Sequence, residues 1–127
     1  IKNYSKMNYE IPNSYYWFTK LNLTKFIPWN FETEINPKSS INEQFEIECE
    51  QNRQVITFGR RQDMDTFAGF EVVDGKITEN VIVFHPSFQQ NVKGWSIIES
   101  EFSDFFEFMQ KQVLPEMSRF NWQLLKP

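Results

Sequence analysis

The chain has 127 residues, a length that suits one domain burying about two-thirds of its unfolded surface in a single core. A net charge of −4 and a pI near 5.0 argue against a general nucleic-acid-binding protein, which would carry a basic surface. No apolar run approaches the roughly 18 residues of a membrane span, and no signal-peptide pattern opens the chain. We therefore expect one domain, 1–127, that is cytoplasmic and contacts neither membrane nor nucleic acid directly.

Aromatic residues are abundant, with 14 Phe, 4 Trp and 4 Tyr. Each ring can bury roughly 150–250 Å², so they supply either a dense core or an aromatic contact surface, and we expect most in the core. The first predicted element is a helix that starts at 12–14 and places the aromatic residues 15–18 and Leu21 on its apolar face. The pattern ends by Pro28, because proline disfavours helical backbone at the preceding residue.

A second, shorter helix is predicted around residue 40. A Ser-x-x-Glu capping box spans 40–43, with Ser40 as the N-cap, and Ile41, Phe45 and Cys49 lie four apart on one helical face. The alternation over 45–49 equally fits a strand, although we favour the helix.

The same region is strongly acidic. Between 31 and 50 the chain carries a net charge of −5, whereas the remaining 107 residues carry +1. Such a segment is either a solvated face or a surface that steers a basic partner, since clustered like charge raises encounter rates by roughly tenfold to a thousandfold. The single base is Lys38, and the acids are Glu32, Glu34, Glu43, Glu46, Glu48 and Glu50.

Two apolar runs, 55–58 and 67–73, predict an antiparallel hairpin with four charges between its strands. Arginine forks pair with carboxylates, and Asp accepts hydrogen bonds from turn amides, so we interpret this segment as one that stabilises itself. The alternative is a recognition, metal or catalytic site built on the Asp-x-Asp spacing. The four charged residues are Arg60, Arg61, Asp63 and Asp65.

Partners for such a site are scarce. Cys49 and His85 are the only residues of their types, which excludes a Cys/His zinc site within one chain. The remaining possible ligands of a cation are Asp63, Asp65 and His85, and three ligands make a weak case for a metal site. The lone Cys49 also forms no disulfide framework and suits a reducing compartment. No Gly-rich phosphate loop, Gly-x-Ser-x-Gly elbow or His-Glu-x-x-His motif occurs. The sequence therefore predicts no catalytic residues, cofactor or metal.

The remaining elements complete a sheet and close it with a helix. Asp74-Gly75 is a turn signal, 81–85 is typical of a central strand covered on both faces, and 95–98 predicts a fourth strand. Asp104 and Glu107 lie near the start of a predicted helix, where the helix dipole favours anions. The apolar residues that recur at helical spacing are Phe102, Phe105, Phe106, Met109 and Val113. The prediction is a single α+β domain whose antiparallel or mixed sheet, of about four or more strands, is covered by N-terminal and C-terminal helices.

Residues 58–70, Phe-Gly-Arg-Arg-Gln-Asp-Met-Asp-Thr-Phe-Ala-Gly-Phe, resemble the motif of the bacterial branch of the SUKH superfamily, Phe-Ala-Arg-Arg-Gln-Asp-x-Asp-Asp before a Phe-ended strand. Other elements of that pattern follow the same order over 28–117: Pro28-Trp29 with Phe31, Val83-Phe84-His85, Gly94-Trp95 and a Phe-rich C-terminal helix. The chain departs from the pattern at Gly59 in place of Ala, Thr66 in place of Asp, Gly69 in place of a frequent Cys, and in a longer loop after His85.

The resemblance implies an α+β domain and a non-enzymatic immunity protein that binds and neutralises a cognate polymorphic toxin, frequently a nuclease. An acidic inhibitor would suit the basic groove of such a toxin. We expect the six glutamates to form the steering surface, Trp29 or Phe88 to serve as apolar anchors, and the four charged residues of the hairpin to be structural. Two alternatives stay open: a regulatory module that binds an endogenous partner, as in a fungal cell-wall-assembly relative, and, more remotely, a metal-dependent hydrolase.

Overall fold

The computed structural model describes residues 10–88 and 96–120, which form one six-stranded antiparallel sheet with its strands in chain order. The strands are β1 (Lys25–Phe26), β2 (Trp29–Phe31), β3 (Gln54–Arg61), β4 (Phe67–Val73), β5 (Lys76–Phe84) and β6 (Ile98–Phe102). The helices are α1 (Asn13–Lys20), α2 (Ser40–Glu48), α3 (Phe105–Phe108) and α4 (Leu114–Arg119), with a π-helical segment (Met109–Val113) joining the last two. The predicted α+β fold is confirmed.

Alternating side chains of the central strands build two cores on opposite faces of the sheet. One core joins β3, β4 and β5 to α1 and to the C-terminal helices, and the other joins them to Phe45 of α2. Along β5, Val81 and Val83 belong to the first core, while Ile82 and Phe84 belong to the second. The uninterrupted apolar run therefore marks a strand covered on both faces, as predicted.

Aromatic rings fill the first core, which confirms that most of the described rings are structural. The ring of Tyr15 on α1 lies 4.9 Å from that of Phe58 and 5.3 Å from that of Phe105. Its hydroxyl donates to the backbone carbonyls of Glu32 and Phe58, so the polar end of this buried residue is satisfied. α1 thereby packs against both the sheet and the C-terminal helix.

α2 is attached to the opposite face by Asn42. The β3–β4 register shifts between Thr57 and Gly59, and the side-chain oxygen of Asn42 accepts from both the backbone N–H of Thr57 (2.8 Å) and its hydroxyl (2.6 Å). The amide nitrogen of Asn42 donates to the carbonyls of Asn36 and Pro37. A buried polar residue thus fixes α2 relative to the irregular part of the hairpin.

Several boundaries differ from the sequence prediction. The helix N-cap is Ser39, because its extended backbone lets its hydroxyl accept from the N–H of Ile41, which leaves Ser40 inside the helix. The expected break at Pro28 is followed directly by β2, which is held by pairing with β3. The last strand begins at Ile98 and includes Phe102, so that Phe belongs to β6 and not to the helix, which begins after its N-cap Asp104.

Candidate partner-binding surface

The charged residues of the hairpin divide between a strand and its turn. Arg60 and Arg61 lie on β3, opposite Asn30 and Trp29 of β2, so only the two aspartates belong to the turn. This corrects the prediction, which placed both arginines between the strands. The extension of β3 to Arg61 follows from its pairing with β2, a contact between segments far apart in sequence.

Arg61 joins three parts of the fold. Its Nε and Nη2 donate to the two oxygens of Asp63 at 2.9 and 2.8 Å, and its Nη1 lies 3.3 Å from Oε1 of Glu116 on α4. The same glutamate oxygen accepts from the indole N–H of Trp29 at 2.7 Å. The Arg61–Asp63 pair therefore connects the hairpin turn to the C-terminal helix.

Arg60 points to a different environment. Its guanidinium lies 5.5 Å from the centroid of the Phe67 ring, and it lines a depression of about 310 Å³ together with Glu32 and Glu34. Asp65 is exposed, and within 10–88 and 96–120 it forms no hydrogen bond or ion pair. Arg61 and Asp63 therefore have clear structural contacts, whereas Arg60 and Asp65 lie at the surface.

The cation set considered from sequence is not assembled. Nδ1 of His85 lies 3.3 Å from the Thr66 hydroxyl and 3.8 Å from a carboxylate oxygen of Glu99. In the described part of the chain, no three His, Cys, Asp or Glu side chains come close enough to hold a metal, so Asp63 and Asp65 do not form such a group with His85.

The acidic segment surrounds α2 and is directed mainly to solvent. Five of its six glutamates are exposed, and only Glu48 is partly buried. They line three separate depressions: Glu32 and Glu34 the first, Glu43 and Glu46 the second, and Glu48 and Glu50 the third. The segment therefore forms an acidic rim around one helix.

Glu48 differs from the other five because its carboxylate binds the chain just after β5. Oε1 accepts from the backbone N–H and the hydroxyl of Ser87 at 2.7 and 2.8 Å, and Oε2 accepts from the backbone N–H of Phe88 at 3.1 Å. Burial raises the pKa of Glu48, but hydrogen bonds from Gln44, Ser87 and Phe88 together outweigh it, so the net pKa lies below its usual value. Glu48 is thus committed to an internal contact.

The two residues predicted to be apolar anchors differ in their exposure to solvent. Trp29 is fully buried, with its ring 5.2 Å from that of Phe108, so it is not available to a partner and the prediction for it is wrong. It is buried because side chains alternate along β2, and those of Trp29 and Phe31 face the first core. Phe88 is half exposed and remains a candidate.

A charged network on the sheet was not foreseen from sequence. Arg53 donates through Nε and Nη2 to Glu71 at 2.9 and 3.0 Å and through both terminal nitrogens to Glu101, while Asn80 donates to both glutamates. Arg53 lies just before β3, and Glu71, Asn80 and Glu101 lie on β4, β5 and β6. Only the sheet topology brings them together, so sequence spacing gave no signal.

No family model, no curated protein and no solved structure matches this chain. Within the described ranges, no helix combines the length and apolar character needed to cross a bilayer.

Proposed function

We propose that this chain is a non-enzymatic, cytoplasmic immunity protein that binds and neutralises a cognate polymorphic bacterial toxin with a basic surface, such as a nuclease. The observation that carries the proposal is the acidic rim around α2, where five of six glutamates face solvent. The resemblance of 58–70 to the SUKH motif supplies the class of partner.

Charge and exposure together support this proposal. A toxin that acts on nucleic acid presents a basic groove to its substrate, and an acidic rim would be attracted to that groove over several ångströms. The rim surrounds one helix whose backbone is attached to the sheet by Phe45 and Asn42, so its glutamates start from fixed positions on the scaffold. We therefore expect electrostatic attraction to accelerate association, with affinity depending also on apolar contacts.

The first test is protection. Co-expression with the toxin domain encoded immediately upstream of this gene should restore growth, and the two proteins should co-purify. Failure to protect and to bind would contradict the immunity function. Binding to a protein of the host cell instead would favour the regulatory alternative.

The second test measures the contribution of the rim. The double variant Glu34→Lys, Glu43→Lys should lower the association rate constant with the toxin about tenfold or more at low salt, and the difference should shrink as salt is raised. The matched control is Glu10→Lys, Glu79→Lys, which changes the net charge equally at exposed acids outside the rim. Equal rates for the two variants would contradict the steering role while leaving protection to be judged separately.

A further inference from the structure

Phe88 has an unusual backbone for its residue type. Its φ of +59° lies in the left-handed region, and its side chain is 50% exposed. The other described residues with positive φ, apart from glycine, are Asn22, Asn52 and Asp74, which are types that tolerate this conformation. A bulky aromatic residue is strained there, so the surrounding contacts have to hold it in place.

The carboxylate of Glu48 provides such contacts. Its two oxygens bind the consecutive backbone N–H groups of Ser87 and Phe88, and one oxygen also binds the Ser87 hydroxyl. Gln44, one turn earlier on α2, donates to the same carboxylate and orients it. A charged acceptor with several donors gives strong, directional bonds, so the segment leaving β5 is fixed to α2.

The surface around this contact is acidic and partly apolar. A depression of about 290 Å³ is lined by Glu48 and Glu50 and by the apolar side chains of Ile97 and Ile98, and none of the described residues that line it is basic. A basic side chain next to an apolar one on a partner would complement it. Aromatic side chains, Phe included, are enriched at protein interfaces, and Phe88 is connected to this depression through Glu48.

We propose that Glu48 is a positioning residue that holds Phe88 as an apolar anchor for the toxin, whose basic side chains enter the adjacent depression. The inference rests on the proposed function and deepens it, since it assigns Glu48 a role different from that of the five exposed glutamates. Its charge is used inside the protein, and Phe88 makes the contact with the partner.

A double-mutant cycle separates positioning from simple charge attraction. Against the toxin domain encoded upstream, Phe88→Ala should raise Kd about 30-fold, which corresponds to a typical hot spot. Glu48→Gln should raise Kd about tenfold in the unaltered background but less than threefold when Phe88 is already Ala, because it acts through that side chain. The main change should appear in the dissociation rate.

Two controls complete the cycle. Glu43→Gln removes the same charge from the same helix, and its effect should be equal in both backgrounds. Trp17→Ala removes a larger, 59% exposed aromatic from α1 and should leave Kd within twofold. In the free protein, Glu48→Gln should speed amide hydrogen exchange at Ser87 and Phe88 at least tenfold while the sheet amides stay unchanged.

The outcomes are distinct. Three results would each overturn this inference while leaving the immunity function intact. They are multiplicative effects of Glu48→Gln and Phe88→Ala on Kd, unchanged amide hydrogen exchange at Ser87 and Phe88 in Glu48→Gln, and a Kd that does not respond to Phe88→Ala. No binding by the unaltered protein would overturn the proposed function, and the inference with it.

Discussion

At the scale of single residues, buried polar groups find partners on remote segments. The indole N–H of the fully buried Trp29 donates to Glu116 on α4, and the same carboxylate faces Arg61 on β3. One oxygen of Glu116 therefore satisfies a buried donor and pairs with a cation. The C-terminal helix is anchored to the first strands by this contact as well as by apolar packing.

Glu116→Ala should lower the free energy of unfolding by about 1–3 kcal/mol, because the N–H of the buried Trp29 loses its acceptor. Urea denaturation followed by tryptophan fluorescence measures the change. Glu116→Gln is the matched control, since it removes the charge but keeps an acceptor oxygen. Equal losses in the two variants would show that the Arg61 ion pair, and not the indole bond, carries the stabilisation.

The site was predictable only where it depends on local composition. The acidic rim follows from the glutamate count over 31–50, since isolated charges stay at the surface of a folded domain. The contact of Glu48 with Ser87 and Phe88 could not be predicted from composition, because these donors lie about 40 residues away in sequence. The same reason explains why Trp29 was placed wrongly: nothing local shows that its segment pairs with β3.

At the scale of elements, strong local signals gave correct predictions. Asp74 and Gly75, with φ of +51° and +75°, form the two-residue turn that their types predict, and the apolar run of β5 is a doubly covered strand. Short β1 and β2 were missed because two or three residues carry little periodicity and depend on pairing for their existence. The C-terminal helix was predicted by its aromatic stripe, although its π-helical segment was not.

The pairing of β3 with β4 depends on Gly69. A Cβ at this position would lie 2.9 Å from the carbonyl oxygen of Ile56, a backbone atom of the neighbouring strand that cannot rotate away. Gly69→Ala should therefore lower the free energy of unfolding by about 1–3 kcal/mol, the usual cost of overpacking. Chemical denaturation of the two proteins gives the difference.

The matched comparison is Gly59→Ala in the same hairpin. There the nearest atom, at 2.6 Å, belongs to the Phe31 ring, and a side chain can tilt where a strand backbone cannot. We expect a smaller loss than at Gly69. A larger loss at Gly59 would mean that the packing around Phe31 is more rigid than the strand pairing.

At the scale of the whole molecule, the network around Arg53 links the residue just before β3 to side chains on β4, β5 and β6. Hydrogen bonds from Arg53 and Asn80 lower the pKa of both Glu71 and Glu101, against the opposing effect of burial, and the two glutamates raise the pKa of Arg53. The depressed glutamate pKa values mean that the unfolded chain binds protons more readily. This contribution to stability is therefore complete above about pH 5 and is lost as the pH falls through the lower folded pKa values.

Arg53→Met should accordingly destabilise the protein at pH 7 by about 1–3 kcal/mol, because it leaves two neighbouring carboxylates without their cation. The difference from the unaltered protein should shrink steadily between about pH 5 and pH 3, as the glutamates become neutral in both proteins. Denaturant titrations at a series of pH values measure this convergence.

Lys111→Met, which removes an exposed helical pair with Glu107, serves as the control and should change stability little at any pH. A constant difference for Arg53→Met across the pH range would contradict the stabilisation of Glu71 and Glu101 by the charge of Arg53.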